Sequence, residues 1–220
     1  MKLIKILSVI LLIYTATAGF LLDVPRLPIL NETIRVLYFH VPMWFTMIFL
    51  LLLSSINAYK FISTKNSKYD LKSYNYAHVG VYFGVLGIIT GMIWANYTWG
   101  TFWTNDPKLN GSAIGLLIYF GYFILRNSVD DESKKAKISS VYNVFAFSML
   151  IPLIFILPRL TDSLHPGNGG NPGFNVYDLN SQLRIVFYPA VIGFICLGLW
   201  ISDIKLKIQK INNNWWINLF

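Results

Sequence analysis

The sequence predicts an all-α integral membrane protein, with six transmembrane helices, short loops and both termini in the cytoplasm. Two observations predict this fold. Hydrophobic residues make up 55% of the 220-residue chain and charged residues only 13%. Six stretches of 17 or more residues contain no Asp, Glu, Lys or Arg, and a helix of about 20 apolar residues crosses a bilayer. These stretches use most of the chain, which excludes a separate soluble catalytic domain.

The predicted spans follow the uncharged stretches in chain order and form one membrane domain over residues 1–220. Their approximate limits are 4–22, 38–59, 76–97, 109–126, 138–158 and 184–203. The first span also fits a signal peptide, because Lys2 and Lys5 precede an apolar run with small residues at 16–18. The uncharged run continues to Leu22, which favours a retained helix.

The basic residues fix the predicted orientation. The N-terminus, the loops after the second and fourth spans and the C-terminal segment together hold 13 of the 18 Lys and Arg residues, while the acidic residues divide evenly between the two sides. Cytoplasmic loops of membrane proteins carry such an excess. The positive charge is therefore explained by topology, and we expect no nucleic-acid partner.

Unusual residues collect in the three extracytoplasmic loops. His40 lies where the first of these loops enters the second span, and we expect Pro42 in the first turn of that helix. The loop at 94–108 is rich in tryptophan, and the loop after the fifth span holds His165. Topology thus brings two histidines and an aromatic loop to one face of the membrane.

These residues suit a flat ligand with a metal at its centre. Two neutral imidazoles can occupy the axial positions of a haem iron, and indole rings can cover a porphyrin. Arg35 and Arg184, from their charge and side of the membrane, are the candidate partners for a propionate. An interfacial aromatic belt with solvated histidines remains the alternative.

The remaining chemistry-bearing residues give no second site. His78 is expected at the start of the third span, on the cytoplasmic side, as an ordinary interfacial residue. Cys196 is alone, which excludes a thiol pair and a C-x-x-C-H haem attachment site. The sequence has no phosphate-loop, zinc-protease or nucleophile-elbow motif. We therefore expect a binding protein rather than an enzyme.

Three motifs together resemble a known family. They are R-x-x-Y-x-H-V-P from Arg35 to Pro42, W-G-T-x-W-x-x-D from Trp99 to Asp106, and L-H at Leu164 and His165. The second resembles the tryptophan-rich "WWD" signature of haem-handling membrane proteins, and the whole chain resembles the CcmC family of system I cytochrome c maturation. The resemblance covers residues 5–202.

The resemblance implies a site and partners. His40 and His165 would be the axial ligands of a transiently bound haem b at the periplasmic face of the bacterial inner membrane. The implied contact surface is the tryptophan-rich loop, through Trp99, Gly100, Phe102, Trp103 and Asp106. The implied partners are a periplasmic haem chaperone, subunits of an ABC-type transporter and membrane lipid.

Two departures from the family pattern affect this loop. Asn105 stands where a third tryptophan usually precedes the aspartate, and Phe102 stands where tryptophan is common. Both predict a smaller or more polar platform. A six-helix permease-type subunit of a membrane transport complex, without its own haem site, remains the alternative function.

Overall fold

The computed structural model describes residues 1–26, 29–165 and 179–217, with side chains up to residue 211. Its helices are α1 (Lys2–Leu21), α2 (Leu37–Thr64, led by a 3-10 turn at Asn31–Val36), α3 (Ser67–Trp99), α4 (Pro107–Asn127), α5 (Glu132–Ile151), α6 (Leu157–Leu160) and α7 (Ser181–Ile217). A π-turn at Pro152–Ile156 joins α5 to α6 in one span. Six helical segments are long and apolar enough to cross a membrane. The predicted all-α, six-span fold class is confirmed.

Consecutive spans run in opposite directions, so the bundle has two ends. The turns α2–α3 and α4–α5 lie at the end that also holds residue 2 and the end of α7, which we call the basic end. The loops after α1, α3 and α6 lie at the other end, which we call the site end. The main apolar core lies between α2, α3, α4, α5 and α7, and a second cluster around Tyr38 and Phe187 lies at the site end.

Local sequence sets the helix ends. Asn66, Asp106 and Asp131 precede α3, α4 and α5, and each side chain accepts a hydrogen bond from a backbone N–H of the first turn. Pro107 follows Asp106 at the first helical position, where a missing N–H costs nothing. At the end of α3, Gly100 takes a left-handed conformation with φ of 77°. The tryptophan-rich loop therefore starts and stops at defined residues.

A row of glycines brings α3 against α2. Gly80, Gly84, Gly87 and Gly91 are spaced by three or four residues and share one face of α3. A methyl group on each would meet, in order, a side chain of α2 at Leu51, Met47, Trp44 and His40. The two rows advance in opposite directions with the same spacing, as expected for antiparallel helices with small residues at the contact. His40 is thus the last of four side chains of α2 set into the glycine row.

Polar contacts also join the helices inside the bundle. Asn143 of α5 donates from Nδ2 to the hydroxyls of Ser54 and Ser73, at 2.7 and 2.8 Å, which links α5 to α2 and α3. Ser8 of α1 donates to the carbonyl of Gly193 on α7, at 3.3 Å. Interhelical hydrogen bonds of this kind hold membrane helices in register.

The structure corrects two details of the sequence prediction. Pro42 does not lie in the first turn of its helix: the 3-10 turn and Leu37 come before it, and it lies inside α2. His78 does not open the third span, because α3 begins at Ser67 and places His78 about three turns inside the helix. For His78 the reason is that α3 extends through Lys68, Asp70 and Lys72, charged residues that precede the uncharged stretch.

Candidate functional site

The two predicted ligand histidines both lie at the site end. His40 is the fourth residue of α2, at the end of its first turn, and His165 is in the loop that follows α6. Their imidazoles contact two indoles of the last turns of α3, His40 that of Trp94 and His165 that of Trp99. His78 lies elsewhere: thirteen residues of α3 separate it from Gly91, the residue that faces His40, which is about 20 Å of helix.

His40 is enclosed by ring and backbone contacts. Its ring lies against Gly91, where an added methyl group would come within 2.7 Å of Cε1. The indoles of Trp44 and Trp94 meet the imidazole edge-on, with ring centroids 6.4 and 5.8 Å away. The indole Nε1 of Trp94 donates to the hydroxyl of Thr33, at 3.3 Å. These contacts fix the plane of the His40 ring.

Thr90 fixes the proton position on His40. The Nδ1 atom of His40 lies 3.0 Å from Oγ1 of Thr90. Oγ1 of Thr90 also lies 2.8 and 3.1 Å from the carbonyls of Leu86 and Gly87 in its own helix, and these carbonyls can only accept its single proton. The oxygen is therefore left to accept, and Nδ1 of His40 carries the donating proton. A neutral imidazole protonated at Nδ1 has its lone pair on Nε2.

Asp106 has the same function for His165 but a wider set of partners. Its carboxylate is 3% exposed and accepts from five donors of the described residues. Oδ1 accepts from the backbone N–H groups of Lys108 and Leu109, at 2.9 and 3.2 Å, and from Nδ1 of His165, at 2.9 Å. Oδ2 accepts from the hydroxyl of Ser163 and the N–H of Leu164, both at 2.8 Å. One side chain thus caps α4 and holds the His165 loop.

The hydrogen bonds decide the charge of Asp106. Burial by itself would raise the pKa of this carboxyl. The hydrogen bond from His165, together with the bonds from Leu164 and Ser163, instead holds the pKa of Asp106 well below its ordinary value. An ionised carboxylate can only accept, so Nδ1 of His165 is the donor, and in the neutral imidazole Nε2 then has the lone pair. Both histidines are therefore held as the tautomer that binds a metal through Nε2.

The tryptophan-rich loop contacts His165 through Trp99. The indole of Trp99 meets the imidazole edge-on, with centroids 5.0 Å apart. The left-handed turn at Gly100 then directs the chain away from α3, and nothing lies within 4 Å of the position of an added methyl group there. The end of α3 thus positions one ring against the second histidine.

The rest of the loop presents rings to the surroundings. Phe102 is 53% exposed and Trp103 is 39% exposed. The indole N–H of Trp103 donates to Oδ1 of Asn110, at 3.2 Å, and the amide of Asn110 donates to Oδ1 of Asn105, at 2.7 Å. Asn105, which stands where tryptophan is usual, is therefore part of a polar link from the loop to α4.

Arg35 has partners in the protein itself. Its Nη1 donates to the carbonyls of Gly19 and Leu22, both at 2.7 Å, and its Nε donates to the carboxylate of Glu32, at 2.8 Å. The guanidinium thus satisfies carbonyls at the end of α1, which otherwise lack donors. The expected contact of Arg35 with a propionate stays a prediction.

Sequence reasoning missed the two residues that orient His40. Thr90 and Gly91 lie in a helix, outside the motifs that identified the ligands. The spacing of the glycines on α3, matched in reverse by the residues of α2, was the available signal for the contact between Gly91 and His40. Nothing local marks Thr90, whose function depends on the pairing of two helices.

Comparisons with known proteins support the same family. The family model of Heme exporter protein C (CcmC) matches residues 1–217. A Heme exporter protein C from Paracoccus denitrificans is 28% identical over 181 residues, which cover 81% of this chain and 74% of that protein. A Cytochrome c biogenesis protein CcsA from Prochlorococcus marinus is 43% identical over 65 residues, 30% of this chain and 21% of that protein.

A third relative shows how far the similarity extends. A Heme exporter protein C from Bradyrhizobium diazoefficiens is 27% identical over 135 residues, 61% of this chain and 51% of that protein. The chain thus spans about half the length of this relative. With a family match along nearly its whole length and six membrane-spanning helices, this multi-pass membrane protein belongs to the Heme exporter protein C family.

Proposed function

We propose that this protein binds haem at the periplasmic face of the bacterial inner membrane and presents it to a periplasmic haem chaperone during cytochrome c biogenesis. The proposal depends above all on one observation. Nδ1 of His40 lies 3.0 Å from the hydroxyl oxygen of Thr90, and Nδ1 of His165 lies 2.9 Å from a carboxylate oxygen of Asp106. With both oxygens as acceptors, the neutral imidazoles have both Nε2 lone pairs available to iron.

The residues present fit a haem b group. Haem iron takes two axial ligands from a protein, and neutral imidazole is among the commonest. When bound, haem supplies an iron centre for the two histidines and vinyl groups for later attachment elsewhere. The protein supplies the orientation of both imidazoles through hydrogen bonds and edge-on indole contacts. The exposed rings of Phe102 and Trp103 offer apolar surface beside the histidine loop.

The distribution of charge supports the periplasmic assignment. Thirteen of the 18 basic residues lie at the basic end, and the site end is the other one. The positive-inside rule then places both termini in the cytoplasm and both histidines on the periplasmic side. The site end exposes aromatic rings, including Tyr97 in the last turn of α3, which is 73% exposed, and this suits docking of a partner that receives the cargo.

The proposed role is presentation rather than catalysis. The sequence holds no nucleotide-binding motif, so an ABC-type transporter of the maturation system is the proposed source of energy for the cycle. Binding and release then depend on exchange of an axial ligand with the chaperone. The names of the relatives, which refer to haem export and cytochrome c biogenesis, support this assignment.

Optical spectra of the detergent-purified protein, with haem added and excess removed, test the proposal. Wild type should show the oxidised and reduced spectra of a low-spin, six-coordinate haem. His40→Ala and His165→Ala should each lose haem or change to a five-coordinate, high-spin form. His78→Ala is the matched control, because it removes a histidine that lies about 20 Å along α3 from the site, and its spectrum should equal that of wild type.

Two results would contradict the proposal. Low-spin spectra that survive both substitutions would place the iron on other ligands. Absence of retained haem in correctly folded wild type, with no transfer to the chaperone, would favour the permease-type alternative.

A further inference from the structure

A second cleft lies at the basic end, far from the candidate site. It has a volume of about 890 Å³ and is formed by the start of α3, the end of α4, the start of α5 and the segment of α7 around Gln209. Its lining includes the basic side chains of Lys68, Arg126, Lys135 and Lys210. None of these residues takes part in the orientation of His40 or His165.

The inner part of the cleft contains a largely buried ion pair between Arg126 and Asp70. Arg126 donates from Nη1 and Nη2 to the two carboxylate oxygens of Asp70, at 2.8 and 2.6 Å, and the two side chains are only 11% and 14% exposed. The guanidinium also lies over the ring of Tyr74, 4.9 Å from its centroid. A bidentate pair stacked on an aromatic ring holds its geometry well.

The charges that line the cleft do not balance. Its two carboxylates are engaged, Asp70 with Arg126 and Glu132 with Lys135. Lys68 and Lys210 line the same cleft, and neither forms an ion pair with a carboxylate in the part of the chain that the structure describes. The cleft therefore presents two ammonium groups that no carboxylate of the described residues neutralises, next to the rigid pair of Arg126 and Asp70. This arrangement favours binding of an anion.

The position of the cleft favours a lipid over a dissolved anion. It opens where α3, α4 and α7 leave their apolar spans. Ile208 and Ile211, beside the lining residues Gln209 and Lys210, are 54% and 59% exposed, and Ile124 near the end of α4 is 71% exposed. A molecule with a phosphate in the cleft thus has apolar helix surface next to it for acyl chains. Basic clefts between helices at this depth suit anionic headgroups.

We propose that this cleft binds the phosphate headgroup of an anionic phospholipid. Lys68 and Lys210 contact the phosphate, and the acyl chains lie along the exposed apolar faces of α4 and α7. The site is independent of the proposed haem site, since the two lie at opposite ends of the bundle. Bound lipid would connect the ends of four helices at the membrane surface.

Native mass spectrometry tests this proposal on the full chain, released from micelles that contain equal amounts of phosphatidylglycerol and phosphatidylcholine. Wild type should retain phosphatidylglycerol several-fold more than phosphatidylcholine. The double variant Lys68→Gln/Lys210→Gln should lose this preference. The matched control is Lys65→Gln/Lys137→Gln, which removes the same charge from exposed lysines at the same end but outside the cleft, and it should keep the preference.

Three outcomes would overturn the proposal. Equal retention of the two lipids by wild type would show no anion selectivity. Equal loss in the cleft variant and the control variant would assign the effect to general surface charge. Displacement of phosphatidylglycerol by millimolar inorganic phosphate would identify a site for free phosphate instead of lipid. Because both lysines are exposed, an unchanged melting temperature of the variants confirms that folding is not the cause.

Discussion

The two histidines of the site are oriented by the same kind of hydrogen bond, but in different surroundings. His40 belongs to a long helix, lies against Gly91 and donates to a neutral hydroxyl, that of Thr90. His165 belongs to a loop and donates to a buried carboxylate, that of Asp106. The first ring is held mainly by the packing of two helices, and the second mainly by one charged side chain.

This difference predicts how many contacts are lost when each histidine's acceptor is removed. Removal of the Thr90 acceptor affects one hydrogen bond, because the glycine row still fixes the His40 ring. Removal of Asp106 breaks five bonds at once and also uncaps α4. The comparison therefore orders the expected effects of substitutions.

Asp106→Ala should have the largest effect. It removes the partner of His165 and the cap of α4, which is worth about 1 kcal/mol, and loss of a residue that orients a metal ligand costs about 10–100-fold in affinity. We expect the low-spin spectrum to disappear and haem retention to fall by about that factor. Haem titration followed by absorbance measures it. Asp131→Ala, which uncaps α5 in the same way at the basic end, is the control and should keep the spectrum.

Gly91→Ala should have the next largest effect. Its methyl group would lie 2.7 Å from Cε1 of His40, and overpacking of this kind costs about 1–3 kcal/mol. Displacement of the imidazole relieves the contact, so we expect about tenfold weaker haem retention and a shifted Soret band. Gly80→Ala adds a methyl group to the same row beside Leu51, far from His40. Equal spectral changes in the two variants would contradict a specific effect on His40.

Thr90→Val should have a smaller effect on the same histidine. Valine keeps the shape but cannot accept from Nδ1 of His40, and one hydrogen bond is worth about 1 kcal/mol. A several-fold loss of haem affinity is expected, with recovery in Thr90→Ser, which restores the oxygen. The serine control separates the hydrogen bond from the volume of the side chain. A valine variant with wild-type affinity and spectrum would show that packing alone orients His40.

Arg35→Ala should have the smallest effect on haem. Its guanidinium bonds to carbonyls at the end of α1, so the variant should lose about 1–3 kcal/mol of stability and keep the wild-type Soret position. Thermal unfolding in detergent and haem titration measure the two quantities. Weaker haem binding beside the loss of stability would support the predicted contact of Arg35 with a propionate, and wild-type haem affinity would contradict that contact.

The fold could be predicted from sequence because its causes are local. Apolar runs free of charge define the spans, and Asp106, Pro107 and Gly100 mark the ends of the tryptophan-rich loop by capping rules that need no partner helix. His78 was misplaced because α3 begins in charged residues that are still helical. Pro42 was misplaced by one turn, since it is the sixth residue of α2.

The site could be predicted only in part, because its orientation depends on pairing. The candidate ligand histidines were predicted from their expected side of the membrane and from motifs. The contact of Thr90 with His40 depends on the packing of α3 against α2. The hydrogen bond between Asp106 and His165 joins residues that are 59 positions apart in the sequence. Residue spacing within one helix predicts such partners only where a second helix has a row of matching spacing, as the glycines of α3 match the side chains of α2.

The central claim, axial ligation of haem iron by Nε2 of both histidines, is tested most directly by chemical rescue. His40→Gly and His165→Gly each remove one imidazole, and free imidazole is then added to the purified, haem-loaded variants. The account predicts that added imidazole restores the low-spin, six-coordinate spectrum in both, and that it leaves wild type unchanged. Variants that are already low-spin before addition, or that bind haem and do not respond to imidazole, would contradict ligation by these two residues.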